Sequence, residues 1–213
     1  LRGMDQAGID KAIQLNIATR ADQFRSILAF CKAIRSDRLT PFPSVHPDDP
    51  QCRDHLRAIA GEGFRGIKLH PYYQQFTLDE ERLFPLYAAL IDEGLALIAH
   101  TGYDISYPFD DRCGPRRIAA VLDRFPGLRF STSHLGAWYD YDAVRRHLVG
   151  RPVGMDIACS FGFLPDAEIK SLIEAHGPHQ VFFGSDSPWV DQAETLARLR
   201  ALGLAPEALA GIE

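Results

Sequence analysis

Four apolar runs in this 213-residue chain end on side chains that can bind a cation, hold an anion or carry a proton. "FRGIKLH" (64–70) brings Lys68 and His70, "LALIAH" (95–100) His100, "LRFSTSH" (128–134) His134, and "VFFGSD" (181–186) Asp186. Imidazole and carboxylate are suitable ligands for zinc, manganese or iron. The same groups exchange protons in general acid–base catalysis. Each has a plainer explanation when taken alone. Asp186 in "SDSP" suits an Asx-turn or a cap, and a lone histidine after an apolar strand is more often a hydrogen-bonded core residue. Recurrence at successive strand ends favours chemistry. The other histidines carry no such signal: His55, His147 and His176 fall in helical patterns and are expected in solvent, while His46 and His179 sit in connections.

These groups matter together only if the strands converge. Between the runs lie helical patterns: "ADQFRSILAFCKAI" (21–34), "PQCRDHLRAIAGEG" (50–63), "LDEERLFPLYAALIDEG" (78–94), "GPRRIAAVLDRF" (114–125), "YDAVRRHLVG" (141–150), "PDAEIKSLIEAHG" (165–177) and "QAETLARLRALG" (192–203). With the further strands predicted at 11–17, 39–45 and 153–159, the order is seven strand-helix units. Strands separated by helices imply right-handed crossovers and a parallel sheet, and non-alternating apolar runs imply strands covered on both faces. The fold class is α/β: a (β/α)8 TIM barrel that lacks its first strand and final helix in this chain. An open doubly wound sheet would want a phosphate-binding loop, and neither glycine-rich signature occurs. No linker or compositional shift divides residues 1–213, so a single domain is expected. In a barrel of this kind every strand C-terminus faces one mouth, and separations of 34 and 52 residues between His100, His134 and Asp186 are whole units.

Composition narrows the partners. A net charge of −5 gives no electrostatic reason to expect nucleic acid or an anionic membrane, and no apolar stretch approaches a membrane span. Cys31, Cys52, Cys113 and Cys159 form no CxxC pair, which suits a reducing, cytoplasmic setting.

"RGIKLHP" (65–71), "IAHTG" (98–102), "SHLG" (133–136) and "FFGSDSPW" (182–189), in this order, resemble the amidohydrolase-related metal-dependent hydrolases of TIM-barrel fold. The resemblance is strongest to the branch containing aminocarboxymuconate-semialdehyde and resorcylate decarboxylases. It implies one divalent metal, zinc or manganese, at the barrel mouth. By position, His100 and Asp186 are the implied metal ligands, Asp186 also the proton carrier, and His134 the catalytic histidine. Lys68 takes the position that carries a bridging carbamate in binuclear relatives; here the resemblance implies a free ammonium beside a substrate anion, with His70. Tyr103 and Arg112, on the long loop 102–117, and Trp189 are the expected substrate contacts. One departure matters. The family's opening His-x-His or Glu-x-His strand has no counterpart, the first histidine being His46. The 213 residues are therefore expected to be part of a longer protein, and a metal held by His100 and Asp186 alone would be weakly bound, leaving the site empty.

The expected activity is metal-assisted hydrolysis of a small, carboxylate-bearing amide, ester or lactone. The alternatives are non-oxidative decarboxylation by the same groups, or a non-catalytic barrel serving as a binding protein. Homodimerisation is a further expectation of the fold type.

Overall fold

The central strands are apolar at consecutive positions because both of their faces are covered. β3 (Gly66–Leu69) is buried at every residue, and in β4 (Ala96–Ala99) Leu97 and Ala99 are fully enclosed. The computed structural model describes residues 1–213. In chain order the remaining elements are α1 (Arg2–Ala7), β1 (Ala12–Leu15), α2 (Phe24–Ile34), β2 (Leu39–Phe42) and α3 (Cys52–Gly61) before β3, and α4 (Phe84–Asp92) before β4. Then come α5 (Pro115–Arg124), β5 (Phe130–Thr132), α6 (Tyr141–His147), β6 (Gly154–Asp156), α7 (Asp166–His176), β7 (Val181–Phe182), α8 (Gln192–Ala201) and α9 (Pro206–Ile212). No helix is long and apolar enough to cross a membrane.

Within each sheet the strands run parallel and in sequence order, as predicted. They form two pieces: β1–β2, and β3–β4–β5–β6–β7. Between the pieces, the Lys68 N–H donates to Pro43 O at 2.9 Å and Ser44 Oγ donates to Lys68 O at 2.7 Å. Pro43 has no N–H to return, so a full ladder cannot form there. No strand pairs with the free edges of β7 and β1. Outside that seam α1 packs on α8, and the Phe183 N–H is satisfied by Ile212 O at 2.8 Å. A core cluster of 41 buried residues, running from Phe24 to Ile212, fills the interior and binds the helices to the sheet.

The observed elements are shorter than the sequence patterns, for local reasons. The predicted helix 78–94 becomes α4 starting at Phe84, because Pro85 is tolerated only in a first turn. The predicted strand 153–159 leaves its ladder after Asp156, whose Oδ1 accepts the Ala158 N–H at 3.0 Å and turns the chain. α9 falls in residues for which the sequence suggested no element, with Pro206 in its first turn. The expectation that His176 is solvated is corrected. It is the last residue of α7 and is buried, with Nε2 2.8 Å from Val153 O and Nδ1 accepting the Gly150 N–H at 3.3 Å. His55 is not free in solvent either: it stacks on Phe24 at 3.6 Å and pairs with Asp49 at 2.6 Å.

Register sets what meets at the mouth. Leu69 is opposite Ala99, and Ala99 opposite Thr132. The next residues continue the ladder, His100 N–H to Leu69 O at 3.0 Å and Ser133 N–H to Ala99 O at 3.1 Å. His70 and His100 are thereby neighbours on adjacent strands, and His134 lies one residue beyond Ser133. Gly102 holds this end together at φ +85°, where a Cβ would come 2.1 Å from Trp138 N. Gly102→Ala is expected to cost roughly 3 kcal/mol, combining left-handed strain with a backbone clash. Gly150→Ala, also at positive φ but in open space, should cost only about 1 kcal/mol. Urea denaturation of the two variants compares them directly.

Candidate functional site

Two clusters of cation-binding side chains meet at the strand ends. The first is His70, His100 and Asp104, all buried; the second is His134, Cys159 and Asp186. In each, one ligand atom per residue lies within 4.8 Å of the others. His134 connects them, with Nε2 3.2 Å from His100 Nδ1.

The proton positions of this pair follow from its other contacts. His134 Nδ1 is 2.9 Å from Ala158 O, and His100 Nε2 is 3.1 Å from Tyr103 O. A carbonyl only accepts, so each of those nitrogens carries the proton. His134 Nε2 and His100 Nδ1 are then both lone pairs, aimed at one another across 3.2 Å. Such a pair repels unless something positive lies between them. Burial above all, and then the positive fields of His70, His134 and Lys68, hold His100 well below the ordinary histidine range, so an added proton is opposed. A divalent cation fits: imidazole ligands commonly donate their second N–H to a carbonyl or carboxylate, as both do here. At zinc–nitrogen distances, two such ligands of a tetrahedral ion stand about 3.3 Å apart.

The ring stack extends outward. His70 lies 4.2 Å from His100 and 3.8 Å from Tyr73, nearly parallel to both. Its Nε2 is 3.5 Å from Asp104 Oδ2, which is also 4.0 Å from His100 Nε2. Asp104 thus places negative charge against the outer edges of both rings. Burial, then Lys68 and His134, drive His70 down to about 2, so it is a neutral ring.

Lys68 lies beneath, 6% exposed, with Nζ donating to Ser133 Oγ at 3.2 Å. Burial lowers its pKa, opposed by the negative charge of Asp156 and Asp186. Asp156 Oδ1 also accepts the His134 backbone N–H at 3.0 Å, so one carboxylate fixes both the His134 turn and the Ala158–Cys159 turn. Cys159 Sγ donates to Asp186 Oδ2 at 3.6 Å. Burial, then the neighbouring Asp186, push this thiol up to about 12.

The sequence paired His100 with Asp186 as ligands; in the structure His134 stands between their clusters and contributes a lone pair of its own. Tyr103 contributes its carbonyl to His100, and its ring helps line a cavity of about 250 Å³ with Asp104, Ile105, Tyr107, Phe109 and Tyr139. Arg112 is engaged by Asp110 at 2.9 Å and lies over Tyr72 at 5.7 Å. Trp189 projects outward, 82% exposed. Sequence reasoning missed Asp104, Asp156 and Cys159. Only Asp104, four residues after His100 in "HTGYD", carried a spacing signal.

Comparison with known proteins places the family and the fold. The family model described as Amidohydrolase matches residues 2–212. No curated protein sequence matches the chain. Among solved structures, a TIM-barrel protein from Bordetella bronchiseptica is similar with 22% identity and a TM-score of 0.75, covering 99% of this chain and 77% of that one. The 5-carboxyvanillate decarboxylase of Novosphingobium aromaticivorans, with bound manganese and 3-methoxy-4-hydroxy-5-nitrobenzoic acid, gives 19%, 0.75, 99% and 76%. A 2,6-dihydroxybenzoate decarboxylase in complex with 2,6-dihydroxybenzoate gives 15%, 0.71, 99% and 83%. At these identities the structural likeness establishes the TIM-barrel fold.

Proposed function

Because the chain belongs to the amidohydrolase family, we propose that it is a metal-dependent, non-oxidative decarboxylase of a hydroxylated aromatic carboxylate. Hydrolysis, the activity first expected from the sequence, uses many of the same groups. Two observations favour decarboxylation. The similar solved structures include decarboxylases of substituted benzoates, and here a buried ammonium lies within electrostatic reach of His70, which stacks on Tyr73. That juxtaposition is the observation on which the reading rests: Lys68 offers charge to an anion, while the partly exposed Tyr73 and Tyr107, with centroids 5.9 Å apart, offer faces to a planar ring. The rim cavity of about 250 Å³ suits a single-ring molecule.

His134 and an Asp186 carboxylate oxygen, which share one cluster, would hold the divalent ion, zinc or manganese, with His100 Nδ1 turned toward His134 beside it; the ion's charge would polarise and orient the substrate oxygens. Lys68 holds the carboxylate through a charge-assisted hydrogen bond. Asp186, in its acid form, donates its proton to the ring carbon that bears the carboxylate. The carbon–carbon bond to the carboxylate then breaks, its electron pair restores the aromatic ring, and CO₂ leaves. Tyr73 and the neutral His70 exclude water from the ring face. Asp186 recovers a proton from solvent, to which it is exposed.

The test is CO₂ release from a panel of hydroxybenzoates by metal-loaded protein, run beside hydrolysis of lactones, esters and amides. Decarboxylation with no hydrolysis is the expected result; hydrolysis alone would overturn it.

A further inference from the structure

We propose that Cys159 is a metal ligand, whose thiolate makes the site of this chain prefer zinc to manganese. The proposal rests on the metal-site reading above and adds to it a residue that the sequence pattern did not single out.

The geometry is that of a coordination edge. In a tetrahedral zinc site with sulfur at about 2.3 Å and oxygen at about 2.0–2.2 Å, the two ligand atoms stand roughly 3.5 Å apart. Cys159 Sγ and Asp186 Oδ2 are 3.6 Å apart. A ring nitrogen of His134 lies within 4.8 Å of both. His134 is nine-tenths buried and, with Nδ1 donating to Ala158 O, turns the lone pair of Nε2 toward His100 Nδ1, where no donor meets it. The backbone is bent to this end. His134, Cys159 and Asp186 have φ of 59°, 52° and 58°, three of only six non-glycine residues in the left-handed region. Such conformations are costly and persist where the surroundings enforce them. The Asp156 carboxylate does so for two of the three, through the N–H groups of His134 and Ala158.

Thiolate is a soft ligand, suited to zinc, whereas manganese favours carboxylate, carbonyl and water. As the Sγ–metal bond forms, the S–H bond breaks and its proton leaves to solvent. The His134 imidazole, one carboxylate and one thiolate then face the ion, and Asp186 can yield its place when it carries a proton.

Cobalt(II) titration of the full chain tests this without any assay of turnover. The expected spectrum contains the visible d–d bands of bound cobalt together with a near-ultraviolet thiolate-to-cobalt charge-transfer band. In Cys159→Ser the d–d bands remain and the charge-transfer band is gone. Zinc affinity in that variant falls by at least the roughly 10–100-fold that loss of an outer hydrogen-bond partner costs, while manganese affinity changes little. Cobalt bound with no charge-transfer band in the unmodified protein would overturn the thiolate ligand and leave the metal site standing. No cobalt binding at all would overturn both.

Discussion

Asp186→Asn lowers kcat by about 10²–10⁴-fold, the range associated with loss of a positioned proton donor. Asparagine keeps the shape of the side chain but loses both its negative charge and its transferable proton. In the proposed reaction each is needed: the charge to hold the ion beside His134 and Cys159, the proton to reach the ring carbon. Asp186 is exposed and accepts only the Cys159 thiol among side chains. The variant should therefore unfold within about 0.5 kcal/mol of the parent. Steady-state kinetics, metal content and a thermal melt separate these effects. A melt unchanged with turnover lost is the expected pattern, and undiminished turnover would remove Asp186 from the chemistry.

Lys68→Met acts on binding. The ammonium is buried beside Ser133, with Asp156 and Asp186 as its nearby negative charges. Methionine fills similar space without charge. Truncating one partner of a buried charge pair costs about 2–5 kcal/mol, so KM for an aryl carboxylate should rise by roughly 30-fold or more. A phenol lacking the carboxylate should inhibit parent and variant alike, since it never meets the charge. If KM for the carboxylate does not move, Lys68 is a structural ammonium held by Asp156, and the substrate anion lies elsewhere.

The strand ends were legible in the sequence because burial on both faces leaves an unbroken apolar run, and the first polar side chain after it stands out. His100 announces itself in this way; Lys68, His70, His134 and Asp186 do so by recurring at the ends of successive runs, and the parallel order of the strands follows from the helices between them. What stayed hidden lies past the ends. Cys159 follows "VGMDIA" and reads as one more apolar strand residue, because nothing local reveals that Asp156 turns the chain at Ala158. Asp104 belongs to a loop whose path is fixed by Gly102 against Trp138, a contact between distant segments. His176 was misplaced for a related reason: on a helix a histidine looks solvent-facing until the neighbouring Val153 carbonyl and Gly150 amide are known. The pairing of His134 with His100 also needed coordinates, since proton positions depend on which carbonyl each ring meets.

The joint between β2 and β3 has a consequence for motion. A single main-chain hydrogen bond, Lys68 N–H to Pro43 O, links the two sheets there. Successive strands elsewhere in the chain share a ladder, so among the joints between successive strands this is where thermal opening is easiest. The leading third of the molecule can therefore breathe as a unit, with the backbone of Lys68 as its latch. Because the same residue carries the ammonium at the mouth, loosening the latch displaces the charge. An anion gripping Lys68 would in turn draw the two sheets together, so that occupancy and rigidity rise as one.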